Sequence, residues 1–169
     1  MLCGARIEQR EQGAADHAWD RGSPGLAARC VHAHMIMLMP SVKRYMTIEP
    51  YSIAYKDSLS RAKQLMCEHL IRHLPVVDDQ GQLVGIISDR DVDVIAAIPE
   101  VDLVRVEVAR VMAAPLYVWT DTPIDEVSTL MAESKRDCVV VRGGHGMVGI
   151  FTATDALDAL ADLARRATA

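Results

Sequence analysis

The chain has 169 residues, half of them apolar, and a formal net charge of -5, so it can bury one good core, and its acidic balance excludes a protein whose affinity rests on neutralising nucleic-acid phosphates. No apolar run approaches the roughly 20 residues that span a bilayer, which argues against a membrane protein, and no basic start followed by an apolar segment marks export. The four cysteines, Cys3, Cys30, Cys67 and Cys138, are scattered without C-x-x-C or zinc-ligand spacing, the pattern of reduced thiols in a cytoplasmic protein with no metal site.

Residues 1–38 show neither a helical nor a strand period and carry Gly-Ser-Pro-Gly at 22–25. They read as a disordered tail, or as leader text upstream of a true start at Met35, Met37 or Met39. From there the chain repeats itself: Tyr45-Met46-Thr47 returns as Val111-Met112-Ala113, Leu59 and Met66 as Ile124 and Met131, and Gly85 and Asp91 as Gly149 and Asp155. The expected organisation is a first copy over 39–97, a linker over 98–107 and a second copy with a C-terminal helix over 108–169.

In the first copy, Leu59, Ala62, Leu65 and Met66 form one face of a helix over about Ser58 to His69. Pro75-Val76-Val77 starts a strand, Asp78-Asp79-Gln80-Gly81 supplies turn chemistry, and Leu83 to Ile87 is a second strand, predicting a hairpin. The second copy predicts a helix from Pro123 to Glu133, with Pro123 at its first position, then strands at Val139–Val141 and Met147–Phe151 around Gly143, Gly144 and Gly146. Met66, Met112 and Met131 fall at core spacing. The stretch from Asp155 to Arg166 reads as an amphipathic helix that packs or dimerises; Asp158 and Asp162 on its polar face argue against a membrane surface. Neither copy has enough strands to cover its own sheet, so the two pack together.

After the last strand of each copy comes a hydroxyl residue followed three positions later by an aspartate: Ser88 with Asp91, and Thr152 with Asp155. The pattern has two readings. One is a capping box, which satisfies orphan amides at a helix start. The other is a ligand site, because free amides at a helix start favour an anion and a carboxylate one turn on can accept the vicinal hydroxyls of a ribose.

The run from Met46-Thr47 through His73-Leu74-Pro75-Val76-Val77-Asp78 and Gly81-x-Leu83-Val84-Gly85-Ile86-Ile87-Ser88 to Asp91 resembles a cystathionine-β-synthase-type (CBS) repeat. The second copy matches more loosely, with Asp137-Cys138-Val139 aligned to His73-Leu74-Pro75, and the two together resemble a stand-alone Bateman-type pair. That resemblance implies an α+β fold of two tandem β-α-β-β-α repeats with pseudo-two-fold symmetry. It also implies a homodimer forming a disc of four repeats, and two clefts for AMP, ADP, ATP or S-adenosylmethionine as regulatory ligand, with no cofactor required.

Carried over residue by residue, the first cleft uses Ser88 and Asp91 with His73 and Pro75 nearby, and Ala113 and Leu116 from the second copy. The second uses Thr152 and Asp155 with Val139 nearby, and Thr47 and Tyr51 from the first. Arg72, His73 and Arg90 favour an anion near the first cleft, whereas Asp137 disfavours phosphate at the second. His73 also reads as an ordinary strand-end residue, and the arginines as solvated flank charges.

No P-loop, G-x-G-x-x-G or Ser/His/Asp set in matching context accompanies these residues, so an enzyme is not expected. The expected role is a regulatory adenosine-ligand sensor acting on an unidentified partner protein; the alternative is a dimerisation module that binds no ligand.

Overall fold

The computed structural model of the protein describes residues 39–144 and 146–167. The stretch read as tail or leader, with Met35 and Met37 as alternative starts, lies outside the described residues.

The first copy contributes β1 (Thr47–Ile48), β2 (Ile53–Ala54), α1 (Leu59–His69), β3 (His73–Val77), β4 (Leu83–Ser88) and α2 (Asp89–Ala96). The second contributes β5 (Tyr117–Trp119), α3 (Ile124–Ser134), β6 (Cys138–Gly143), β7 (Gly146–Thr152) and α4 (Ala153–Ala167). The fold is α+β with two tandem repeats.

Local chemistry sets most boundaries. Ser58 Oγ accepts the Arg61 amide at 3.2 Å and starts α1. Leu70 closes it in the left-handed conformation, returning its amide to Cys67 and Met66, and Lys135 closes α3 in the same way. Pro123 stands at the N-cap of α3, one place earlier than the sequence suggested. The 98–107 segment completes the start of α1, since the Val106 and Leu103 carbonyls accept the Leu59 and Ser60 amides at 2.9 and 3.2 Å.

The two sheets exchange their leading segments. β2, β3 and β4 form one sheet, with β2 parallel to β3 and β3 antiparallel to β4. The other sheet has the order β1-β7-β6-β5, so the first copy's leading strand lies antiparallel against the second copy's last strand. Reciprocally, Ala113 bridges to Ile86 through hydrogen bonds of 2.9 and 3.0 Å. The exchange extends into the cores. Val42 is fully buried with Val118, Val127, Val139 and Phe151 of the second copy, and Val108 is fully buried with Leu59, Leu74 and Val92 of the first. Fully burying such a side chain contributes roughly 1.5–3 kcal/mol, so each copy stabilises the other. Ile86, Cys138, Val140 and Ile150 form a third cluster that joins the two sheets.

At the far end, Tyr45 donates to Asp162 Oδ2 at 2.7 Å, and Arg166 pairs with the same carboxylate at 3.0 Å. These contacts tie α4 to the leading segment. Among the described residues, no helix is long and apolar enough to cross a membrane.

The register between copies corrects one sequence alignment. Leu70 and Lys135 are equivalent helix ends, and Arg72 and Asp137 are equivalent carbonyl acceptors, for the Asp89 and Ala153 amides. Asp137 therefore occupies the place of Arg72, and Cys138 that of His73; Pro75 corresponds to Val140 rather than Val139. The cause is the hairpin. The paired Val76 and Gly85 have eight residues between them but Val141 and Gly149 only seven, so the offset between copies changes by one across the turn.

Candidate functional site

Both hydroxyl–aspartate pairs are capping boxes. Asp91 Oδ2 accepts the Ser88 amide at 3.0 Å and the Ser88 hydroxyl at 2.6 Å, while the Asp91 amide donates to Ser88 Oγ at 3.2 Å. Asp155 Oδ2 accepts the Thr152 amide at 2.7 Å and its hydroxyl at 2.8 Å, and the Asp155 amide donates to Thr152 Oγ1 at 3.4 Å. In each pair one carboxylate oxygen makes the cap. The other, Oδ1, takes no hydrogen bond among the described residues, so capping and ligand binding are compatible in one aspartate.

The remaining helix-start amides differ between the copies. In α2 the Asp89 amide donates to the Arg72 carbonyl at 2.9 Å and the Arg90 amide to Asp89 Oδ1 at 2.8 Å, so the first three amides of the helix are all occupied. In α4 the Ala153 amide donates to the Asp137 carbonyl at 2.9 Å, but Ala153 has no carboxylate to take up the next amide, that of Thr154. Thr154 N–H has no partner among the described residues. Its hydroxyl accepts from Arg72 Nη2 at 3.2 Å, which places a guanidinium beside that helix start.

A cavity of about 640 Å³ opens here, within the range of small-ligand sites. It is lined by Thr47 to Tyr51, by Leu70 to His73, by the two helix starts, Ser88–Arg90 and Thr152–Asp155, and by Asp137 and Ile150. Of the residues singled out from sequence, Thr47, Tyr51, His73, Ser88, Arg90, Thr152 and Asp155 line this one space. Asp91, Pro75, Val139, Ala113 and Leu116 do not. Val139 and Pro75 are buried, and Val139 points into the second core. Ala113 is engaged in the bridge to Ile86, and Leu116 packs against the second core.

The lining carries four carboxylates, Glu49, Asp89, Asp137 and Asp155, and two guanidiniums, Arg72 and Arg90. Burial pushes the His73 imidazole below its ordinary value, although Asp89, Asp137 and Asp91 act in the opposite direction. His73 thus lines the cavity with its imidazole held toward the uncharged form. Tyr51 is 54% exposed, its ring stacked on His69 with centroids 3.8 Å apart. Sequence reasoning passed over Glu49, Ile71, Asp89 and Thr154. For Asp89 and Thr154 a signal was present, because Ser88-Asp89-Arg90-Asp91 and Thr152-Ala153-Thr154-Asp155 differ in whether an acid follows the cap.

A family model described as CBS domain matches residues 42–94 and 108–162, more than half of the chain. The chain is similar to the L-aspartate semialdehyde sulfurtransferase of Methanocaldococcus jannaschii, 30% identical over 115 residues that make up 68% of this chain and 22% of that protein. It thus spans about a fifth of the length of that curated relative. Among solved structures it is similar to a CBS domain pair in complex with 5′-methylthioadenosine and S-adenosyl-L-methionine, with TM-score 0.64 and 27% identity, covering 73% of this chain and 98% of that one. It is also similar to CBSX2 in complex with AMP, with TM-score 0.63 and 25% identity over the same shares of the two chains.

Proposed function

The chain belongs to the CBS domain family, and from that premise we propose that it is a regulatory module that binds an adenosine-containing ligand and passes its occupancy to a partner protein. The observation that carries this reading is the convergence of both helix starts on one cavity, where Asp155 Oδ1 and the Thr154 amide have no hydrogen-bond partner among the described residues. A carboxylate oxygen accepts ribose hydroxyls, and an amide beside Arg72 receives an anionic end. Apolar Ile48, Ile71 and Ile150 offer surfaces for a purine ring. AMP, S-adenosyl-L-methionine and 5′-methylthioadenosine in the two similar structures support the ligand class, and AMP, ADP, ATP and S-adenosylmethionine are the candidates.

The role is regulatory and not catalytic, and the location cytoplasmic, in keeping with the free thiols of Cys67 and Cys138. A homodimer fits the apolar side chains left in solvent on two helices: Val94 on α2, 59% exposed, and Leu157 and Leu160 on α4, 66% and 63% exposed.

Titration calorimetry and thermal shift with the four candidates test the reading. Saturable binding of at least one supports it. Absence of heat and of any shift with all four rejects it, and so does turnover of a bound nucleotide.

The complete capping boxes favour a second reading, a module whose aspartates serve only as caps and whose function is association. Under it, nucleotide shifts the melting temperature of neither the wild type nor the aspartate variants.

A further inference from the structure

The loop between β1 and β2 carries Tyr51 to the cavity, and two separate devices fix it there. The backbone is one: Glu49 takes the left-handed conformation with φ 49°, its amide donates to the Val148 carbonyl at 3.3 Å, and Pro50 fixes the φ that follows. The ring is held by the other. Tyr51 stacks on His69, with centroids 3.8 Å apart and planes 14° from parallel, and still keeps 54% of its surface exposed. His69 is the last residue of α1, an element closed by Leu70 and packed through Leu59, Ala62 and Met66 into the first core. It does not itself line the cavity, whereas Tyr51 and Leu70 do. Among the described residues the second copy has no such pair. Register puts Leu116 at the place of Tyr51 and Ser134 at that of His69; Leu116 packs against the second core, and Ser134 Oγ donates to the Leu130 carbonyl at 2.6 Å.

We propose that His69 is a positioning residue for ligand recognition: by stacking on one face of the Tyr51 ring it holds the other as a platform for the purine of an adenosine ligand. This rests on the adenosine-ligand reading and goes beyond it in placing the purine at the loop between β1 and β2. An exposed tyrosine loses rotamer freedom when a ligand settles on it, and that cost is removed when the ring is already held. The stack does so without narrowing the cavity, because His69 stands outside its lining.

Calorimetry on the full chain, with AMP and S-adenosylmethionine as separate probes, reads the effect of His69. His69→Ala is expected to bind both roughly threefold to tenfold more weakly, as for loss of one aromatic pair. His69→Phe restores a ring and is expected to bind within about twofold of the wild type. His69 is exposed at a helix end, so both variants fold. In a Tyr51→Leu background His69→Ala is expected to weaken binding no further, whereas an effect of His69 through α1 alone would persist there. Unchanged affinity in His69→Ala, failure of His69→Phe to recover it, or the same loss in the Tyr51→Leu background would each overturn the inference. Absence of any binding by the wild type instead defeats the reading beneath it, so the two failures are distinguishable.

Discussion

Gly149 lies so close beneath the Thr47 carbonyl that a Cβ on it would overlap that oxygen. Thr47 pairs with Ile150 and Ile48 with Gly149, so the contact lies where the first copy's leading strand crosses the second copy's last strand. The counterpart Gly85 faces the side chain of Met112, which can turn aside.

Gly149→Ala is therefore expected to destabilise the protein by about 1–3 kcal/mol, because the clashing atom is backbone held in a sheet. Gly85→Ala should cost less, because a methionine side chain adapts. Urea unfolding of the two variants checks the order; equal losses would mean that the leading strand is not held as described.

The capping boxes make a separable prediction. Asp91→Ala and Asp155→Ala each remove a reciprocal cap and are each expected to cost about 1 kcal/mol in ligand-free protein. Asp155→Ala should additionally lose the rise in melting temperature that ligand gives the wild type. Melting curves with and without AMP or S-adenosylmethionine measure both effects, and a full ligand-induced rise in Asp155→Ala would refute the second.

His73 sets a pH dependence. Burial lowers its folded pKa from the ordinary 6.5, so below that value the unfolded chain binds more protons than the folded one. The stability it contributes is present above about pH 6.5 and is lost as pH falls from there through the folded pKa. Melting temperature is expected to drop between pH 7 and pH 5.5, before carboxylates titrate, and His73→Gln should flatten that drop. An unchanged slope in His73→Gln would assign it to other groups.

The thiols should differ sharply in reactivity. Cys67 is exposed on α1, whereas Cys138 is buried at the junction of the sheets and its thiol is pushed up to about 12 by that burial, with Asp155 and Asp137 adding to it. Iodoacetamide at pH 8 followed by peptide mass spectrometry should show Cys67 alkylated in native protein and Cys138 alkylated only in denaturant. Native labelling of Cys138 would mean that the sheet junction opens.

Much of this was legible in the chain because the signals are local. The apolar stripe of Leu59, Ala62 and Met66, the Asp-Asp-Gln-Gly turn and the hydroxyl–aspartate starts of α2 and α4 each depend on residues within a turn or two of one another. They yield the elements, the repetition and the CBS resemblance. The misalignment of Asp137 with His73 has an equally local cause that pattern matching does not weigh: a hairpin shorter by one residue displaces the register only on one side of the turn.

By itself, then, the sequence determined which segments are helices and strands, that they come in two copies, and which residues start α2 and α4, since propensity, periodicity and capping are set by near neighbours. The tertiary structure alone decided that the leading strands are exchanged and that Asp137 stands opposite Arg72's place. It also decided that Thr47 to Tyr51, Leu70 to His73 and both helix starts meet around one cavity. A cavity is volume that packing leaves over, and that volume depends on how residues distant in sequence meet, which no local pattern encodes.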